Sequence, residues 1–368
     1  MEKLLVGFTN MTWQQVVMIG IGFVLIYLAI KKEYEPMLLI PIGFGAILAN
    51  IPLSSAVGEN GFLTILYEAG IATELFPILI FIAVGAMIDF SPLLKQPVML
   101  FFGAAAQFGI FVAMLLAAST GMFSLKEAAS IGIIGAADGP TSIYVANLFA
   151  PNLLGPISVA AYSYMALVPI IQPPIIRLFT TKQERMIRMD ADYDAKVSKK
   201  VLILFPIMVT VVAGIISPMS VGLVGALMFG NLIRECGVLE RLSQSAQNEL
   251  ANLVTLLLGI TIGSTMVAEQ FLAPSTLMIL GIGLLAFIFD TAGGVLFAKF
   301  INLFLKEKVN PMIGAAGISA FPMSARIVQK MAQKEDPTNF ILMQAIGANV
   351  AGQIGSIIAG GVLLALVG

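Results

Sequence analysis

The sequence predicts an all-α polytopic membrane protein, and three observations support this: few charges, long apolar runs and sufficient length. Hydrophobic residues make up 58% of the chain and charged residues only 11%, whereas a typical soluble domain has roughly 25% charged residues. The mean hydropathy is +0.97. So few charges cannot cover a water-exposed surface, so lipid must be the solvent for most of the protein.

The apolar runs give about ten candidate spans. A spanning helix needs about 20 residues, so the 368 residues leave little for a large soluble domain. Residues 1–368 are expected to form a single polytopic membrane domain. The runs lie at about 14–30, 37–53, 72–90, 97–118, 152–179, 201–216, 219–233, 250–268, 272–289 and 338–367.

Two further apolar segments, at about 125–150 and 309–333, are rich in glycine, proline and serine. Proline and glycine interrupt helices. Irregular backbone is tolerated at membrane depth only where it is buried in protein or lines a water-filled cavity. Both segments are therefore expected to be broken or re-entrant helices that face a cavity.

These two segments resemble each other, which predicts an internal repeat. Residues 134–137 and 313–316 both read Ile-Gly-Ala-Ala, and Leu-Lys-Glu lies upstream of each. Chance similarity between two apolar stretches is the alternative. Paired broken segments in the two halves of a transporter commonly mark its ion site near the membrane midplane. We therefore expect inverted repeats at about 72–180 and 250–368.

The segment 181–200 is strongly hydrophilic. Four acidic residues partly offset its six basic residues, which are Lys182, Arg185, Arg188, Lys196, Lys199 and Lys200. Basic residues accumulate in cytoplasmic loops, so this loop is expected in the cytoplasm. It is either a solvated connector or a docking surface for a soluble partner.

Asp138 is the most informative residue of the chain. It lies in an apolar stretch and is followed by Gly139 and Pro140. A carboxylate at membrane depth is costly and by default marks an ion or proton path. The alternative is an aspartate that caps a helix at the membrane surface. Asp290 lies at the end of another apolar run, and the sequence there is equally consistent with a structural hydrogen bond and with a role in an ion path.

Neutral oxygen donors lie in related places, at Tyr164, Asn310, Ser319 and Asn349. Sodium is a hard cation that prefers oxygen ligands, as calcium and magnesium do. A single Ser or Asn in a membrane helix is more commonly a helix–helix hydrogen-bond partner. Taken together, these residues predict a sodium site where the two broken segments cross. Asp138 and Ser319 should lie close together there, flanked by Asn349 and Tyr164.

The absence of histidine and near absence of cysteine limit which groups can transfer protons or form covalent links. The sequence has no histidine and one cysteine, Cys236, so proton transfer must use other groups and no intrachain disulfide can form. The net charge of −1 gives no sign of nucleic-acid binding. Arg326, after the second broken segment, can pair with Asp138, bind a substrate carboxylate or extend to the surface.

Several motifs resemble one family, the β subunits of the sodium-translocating, biotin-dependent decarboxylases that act on oxaloacetate, methylmalonyl-CoA or glutaconyl-CoA. The motifs are IGAADGPTS (134–142), AAYSYMALVPIIQPPI (160–175), DTAGGVLFAK (290–299), VNPMIGAAGISAFPMSAR (309–326) and GANVAGQIGS (347–356). They are spread over nearly the whole chain, so the resemblance is specific.

The resemblance implies a membrane subunit that decarboxylates carboxybiotin and couples this to sodium export with proton uptake. It implies Na⁺ as the ion, with carboxybiotin presented by a biotin carrier protein. The other implied partners are a carboxyltransferase α subunit, a small single-span membrane subunit and further copies of the chain. The implied location is the bacterial inner membrane. The implied fold has a core and a scaffold built from inverted repeats, as in elevator-type transporters.

By position, the resemblance also assigns site residues. The catalytic positions are Asp138, Tyr164 and Arg326. The sodium-binding positions are Asp138, Asn310, Gly314, Ser319 and Asn349, and the ion itself is expected at Asp138, Ser319 and Asn349.

Two other functions fit parts of the sequence. A sodium-coupled secondary transporter of an organic anion would share inverted repeats and a midplane site. A non-catalytic membrane anchor is disfavoured, because an anchor has no use for a carboxylate such as Asp138 at membrane depth.

Overall fold

The computed structural model describes residues 7, 9–33, 36–189 and 196–368. Over these residues the chain consists of helices and turns with no strand, which confirms the all-α prediction. Residues 190–195 of the predicted loop lie outside the described residues.

The helices lie in the following order along the chain. They are α1 (Trp13–Lys32), α2 (Pro36–Asn50), α3 (Phe62–Ile71), α4 (Leu75–Met87), α5 (Ser91–Lys95), α6 (Met99–Ala105), α7 (Phe108–Ser119), α8 (Leu125–Gly132), α9 (Gly139–Phe149), α10 (Leu154–Phe179), α11 (Lys182–Arg185), α12 (Lys199–Ile216), α13 (Val221–Glu235), α14 (Glu240–Ser245), α15 (Ala251–Ser264), α16 (Ala268–Phe271), α17 (Pro274–Ile301), α18 (Met312–Ala315), α19 (Met323–Glu335) and α20 (Leu342–Val367).

Five described helical segments are long and apolar enough to cross a membrane, and two bent pairs bring the number to seven. The sequence predicted about ten spans. The difference arises because several apolar runs form short or bent helices: α3 meets α4 at an angle of 63°, and α10 bends by 65° between Met165 and Leu167. Three prolines inside α10, Pro169, Pro173 and Pro174, remove backbone donors on the far side of that bend.

The same order of elements occurs in the two predicted repeats. In each half an apolar helix (α4 or α15) leads to a short helix (α5 or α16) and a span (α6–α7 or α17). A broken segment and a 26-residue helix (α10 or α20) then follow. The contacts are exchanged between halves, since α20 packs against α6 and α10 packs against α17. The repeat boundaries at 72–180 and 250–368 stay predictions.

Several helices outside the broken segments pack against one another in pairs. α1 lies against α2, α2 against α15, and α4 against α13. Many large apolar side chains on α1 and α12 are exposed, including Phe23, Ile30 and Ile215. Such surfaces are expected where lipid is the solvent, because lipid chains solvate apolar side chains as well as a protein core does.

α17 passes close to both broken segments and positions them. Gly294 allows the closest approach: a Cβ added there would lie 2.7 Å from the carbonyl carbon of Gly314. That distance is too short for any real side chain, so a glycine is required for α17 to touch the second segment.

Candidate functional site

The first broken segment is a hairpin whose two arms have their outer ends together. Asn152 Nδ2 donates to Glu127 Oε1 over 3.0 Å, and the Lys126 ammonium lies 5.4 Å from the centre of the Phe149 ring. The start of α8 and the end of α9 are therefore neighbours. The capping box of Ser124 and Glu127, which fixes the start of α8, lies at this base.

Asp138 is at the tip of the first hairpin. A 3₁₀ turn (Ile133–Ala136) follows α8, and Ala137 then takes a left-handed conformation with φ of 52°. Asp138 caps α9: its Oδ1 accepts from the Thr141 N–H (3.2 Å) and its Oδ2 from the Thr141 hydroxyl (2.7 Å). It is 4% exposed. The capping alternative is thus correct in geometry, but the cap lies inside the protein and not at a surface.

The second broken segment, α18 to α19, is also a hairpin with its ends together. Asn310, ahead of α18, and Asn339, beyond α19, both donate a side-chain N–H to the Ile187 carbonyl, over 2.9 and 3.2 Å. The tip, at 316–322, carries Ser319. Both segments therefore return to the side from which they start, as the sequence predicted for re-entrant helices.

The two hairpins approach each other from opposite ends of α17. Gly155, beyond the base of the first hairpin, lies against Thr265, ahead of α17. Val309, at the base of the second, accepts from the Asn302 side chain just after α17, over 2.7 Å. α17 has 28 residues, a length of about 42 Å, so the two bases lie on opposite sides of the molecule.

The two tips are in direct contact. The Ser319 N–H donates to the Ala136 carbonyl over 3.0 Å. α20 crosses both tips, because the Ser356 hydroxyl donates to Asp138 Oδ2 (2.7 Å) and the Ser319 hydroxyl donates to the Gly352 carbonyl (2.8 Å). The structure thus brings Asp138 and Ser319 to the crossing point of the two segments, as predicted.

Buried oxygens without partners lie beside this contact. Asn349 on α20 is fully buried and donates to the Ile318 carbonyl over 2.6 Å, and its Oδ1 has no hydrogen-bond partner. Gln107 donates to the Gly317 carbonyl over 3.3 Å, and its Oε1 is likewise unpartnered. One carboxylate with several neutral oxygens suits a singly charged hard cation. The described residues hold no cluster of three His, Cys, Asp or Glu that would favour a transition metal.

The tyrosine beside Asp138 is Tyr162, whereas the prediction named Tyr164. Tyr162 is 2% exposed and its ring lies against Gly139, where an added Cβ would be 2.8 Å from ring atom Cε2. Its buried hydroxyl has no partner. The Tyr164 hydroxyl instead donates to the Leu280 carbonyl on α17. Residues two apart on a helix point about 200° apart, so only one of the two can face the tip.

Asn310 and Gly314 have other contacts in the structure. The Asn310 amide donates to the carbonyls of Arg185 and Ile187, and its Oδ1 accepts from the Met312 N–H over 3.1 Å. Gly314 lies against α17. The structure therefore does not bring either residue into the hydrogen-bond network around Asp138. The side chain of Asn310 makes all its hydrogen bonds at the base of its hairpin, and Gly314 packs against α17.

Arg326 is exposed on α19, and no described ion pair includes it. Of the three roles considered from sequence, pairing with Asp138 is therefore not the observed one. Binding an anion or extending into solvent both remain consistent with this position.

Asp290 makes a structural hydrogen bond, which is one of the two possibilities that the sequence left open. It is fully buried; its Oδ1 accepts the backbone N–H of Gly109 at the start of α7, and its Oδ2 has no hydrogen-bond partner. A carboxylate at a helix N-terminus is favoured by the helix dipole and by the free N–H groups there. Asp290 thereby ties α17 to α7, next to Gly135 of the first hairpin.

The described part of the loop after α10 is fastened to the base of the second hairpin. Arg185 pairs with Glu335 (2.8 Å) and Arg188 with Asp336 (2.7 Å). Hydrogen bonds from Thr338 and then from Arg188 lower the pKa of Asp336 to about 2, so this carboxyl stays charged at any physiological pH. Residues 181–189 therefore form one surface with the end of α19.

Comparison with known proteins confirms the resemblance drawn from the motifs. The family described as the Na⁺-transporting oxaloacetate decarboxylase beta subunit matches residues 14–367. The methylmalonyl-CoA decarboxylase subunit beta of Propionigenium modestum is 50% identical over 98% of this chain and 97% of its own length. The glutaconyl-CoA decarboxylase subunit beta of Acidaminococcus fermentans is 52% identical over 98% of this chain and 96% of its own length. The oxaloacetate decarboxylase beta chain of Klebsiella pneumoniae is 44% identical over 97% of this chain and 96% of its own length. The chain therefore belongs to the family of Na⁺-transporting decarboxylase beta subunits.

Proposed function

We propose that this chain decarboxylates carboxybiotin and uses the reaction to export sodium. The observation that carries the proposal is the buried Asp138 where two hairpin tips meet, beside an asparagine oxygen with no partner. Family membership supports the reaction class. The proposed partners are a carboxyltransferase α subunit, a biotin carrier protein, a small single-span subunit and further copies of this chain, in the bacterial inner membrane.

The sodium ion would bind at the meeting point of the tips. Asp138 supplies the negative charge, and Asn349 Oδ1 and the Ser319 hydroxyl supply neutral oxygens. The hydroxyls of Thr141 and Ser356, which donate to Asp138, hold the carboxylate in place. A hydroxyl also carries two lone pairs, so either one can turn and offer an oxygen to the ion.

The chemical step breaks the bond between the carboxylate carbon and the ureido nitrogen of carboxybiotin. Carbon dioxide leaves, the electron pair stays on the nitrogen, and the nitrogen takes one proton. We propose that sodium and a proton compete for Asp138, so that departure of the ion and uptake of the proton belong to the same cycle. Export against 100 mV costs about 2.3 kcal/mol per charge. Decarboxylation can drive it only if each turnover requires ion movement, and competition for one carboxylate would provide that coupling.

Three structural features support inverted repeats with a core and a scaffold. These are the repeated order of elements, the exchanged contacts of α10 and α20, and the approach of the hairpins from opposite ends of α17. The proposed core contains both hairpins with α6, α7, α10, α17 and α20. The proposed scaffold contains α1–α4 and α12–α15, and an elevator-type movement would carry the core past it.

The function is tested by carbon dioxide release. The complete complex, purified in low-sodium buffer, should release carbon dioxide from carboxybiotin only after sodium is added. A rate that does not change with sodium would contradict the proposal. Sodium-driven uptake of an organic anion by liposomes containing this chain alone would favour the secondary transporter instead.

The proposed topology predicts a labelling pattern. With Cys236 replaced by serine, a cysteine at Lys182 should react with an impermeant maleimide only in inside-out vesicles, because its loop is basic. A cysteine at Met122, which is 52% exposed near the base of the first hairpin, should react in intact cells. The reverse pattern would place residues 181–200 outside the cytoplasm.

A further inference from the structure

One face of α19 carries a row of three cations. Arg326, Lys330 and Lys334 are spaced four residues apart, and all three are exposed. Residues at this spacing lie above one another on a helix. We call these three residues the basic row.

Among the residues that the structure describes, no acidic side chain forms an ion pair with the basic row. The two acidic residues at the end of α19, Glu335 and Asp336, are both paired with arginines from the segment 181–189. No described ion pair includes a member of the row. Like charges four residues apart destabilise a helix, so the row does not stabilise α19.

The position of the row shows what it faces. Its members span eight residues, about 12 Å along the helix. Lys334 lies next to the fastened segment at the base of the hairpin, and Arg326 is seven residues beyond Ser319 at the tip. Cations at membrane depth face protein or water and not lipid. All three side chains are exposed, so this side of α19 is expected to face water along the path from the base of the hairpin towards its tip.

We propose that the basic row guides the carboxylate of carboxybiotin from the carrier protein to the site, with Lys330 and Lys334 as the guiding residues and Arg326 at the inner end. This inference rests on the proposed function. A row of one sign attracts an anion and raises its rate of binding in a salt-dependent way. Lysine is a point charge on a flexible stem, suited to passing an anion along, whereas the arginine fork can hold a carboxylate with two hydrogen bonds.

The test uses the complete complex and free carboxybiotin as the probe. Lys330→Gln and Lys334→Gln should each raise the KM for carboxybiotin about two- to fivefold with kcat nearly unchanged, and Lys330→Arg should restore the wild-type KM. The double variant should also flatten the dependence of kcat/KM on added choline chloride at fixed sodium. Lys306→Gln is the matched control, because Lys306 is exposed on the same side between α17 and α18 but is not in the row.

The outcomes distinguish failure of the guiding role of the basic row from failure of the proposed function. An unchanged KM in the double variant, with sodium-dependent turnover intact in the wild type, would overturn the guiding role alone. A defect seen with carboxylated carrier protein but not with free carboxybiotin would also overturn it, because the row would then recognise the protein surface. If the wild type shows no sodium-dependent turnover of carboxybiotin, the proposed function fails and this inference fails with it.

Discussion

Replacing Asp138 by asparagine is expected to abolish sodium-coupled decarboxylation, with turnover lower by about a thousandfold or more. Asparagine keeps the shape of the side chain and can still accept from the Thr141 N–H, so the first hairpin should fold. It carries no negative charge for the ion and cannot take up or release a proton at neutral pH. Loss of a proton-transfer group alone typically costs about 10²- to 10⁴-fold, and loss of the ion's counter-charge adds to that. The measurements are carbon dioxide release and sodium uptake into inverted proteoliposomes.

Asp290→Asn is the matched control for this experiment. Asp290 is also a buried carboxylate in a membrane helix with one unpartnered oxygen, but its hydrogen bond is from the Gly109 N–H at the start of α7 and not from the hydroxyls that hold Asp138. An asparagine oxygen can still accept that bond. This variant should lose thermal stability but keep its dependence on sodium. Full activity in Asp138→Asn, or an equal loss of coupling in both variants, would contradict the proposed role of Asp138.

Replacing Asn349 by leucine is expected to raise the sodium concentration for half-maximal turnover about ten- to a hundredfold. Leucine has a similar shape but removes Oδ1, the buried oxygen that has no partner in the structure. A polar contact to a charged group contributes about 1.5–3 kcal/mol, which corresponds to that range of binding constants. The measurement is a sodium titration of carbon dioxide release, with turnover recovering at high sodium.

Asn231→Leu supplies the control for Asn349. Asn231 is also a buried asparagine in a membrane helix, donates to the carbonyls of Gly85 and Ile88 and has an unpartnered Oδ1. It lies between α13 and α4, away from both hairpins. Its replacement should lower stability to a similar extent and leave the sodium titration unchanged. A shift of equal size in both variants would show that the effect of Asn349 is structural.

The sequence was sufficient to predict that Asp138 and Ser319 lie close together, because very few structures are possible for segments of this composition at membrane depth. Few structures accommodate glycine, proline and a carboxylate within an apolar run, and a hairpin that faces other protein is the main one. Since two such segments occurred in comparable places, their contact at the tips followed. Asn349 could be found because its small-residue helix has few other polar side chains nearby, namely Gln344, Gln353 and Ser356.

Three positions could not be predicted from the sequence, because each depends on the three-dimensional partner of a residue. Nothing in the AAYSYM motif shows whether Tyr162 or Tyr164 faces the tip, since that depends on the rotation of α10. Asn310 has the composition of an ion ligand, but its partners are carbonyls of a loop more than 120 residues earlier. The role of Asp290 required knowledge that α7 begins beside it.

The hydrogen bond from Ser356 to Asp138 joins residues 218 positions apart, so the ribosome synthesises the two residues at well-separated times. A ribosome adding about 5 to 20 residues per second needs about 10 to 45 s to make that intervening stretch. During this interval the nascent first hairpin exists without α20 and without the second tip. A chain that terminates before Ser356 would therefore lack the hydrogen bond from α20 to Asp138, and the proposed sodium site would be incomplete in it.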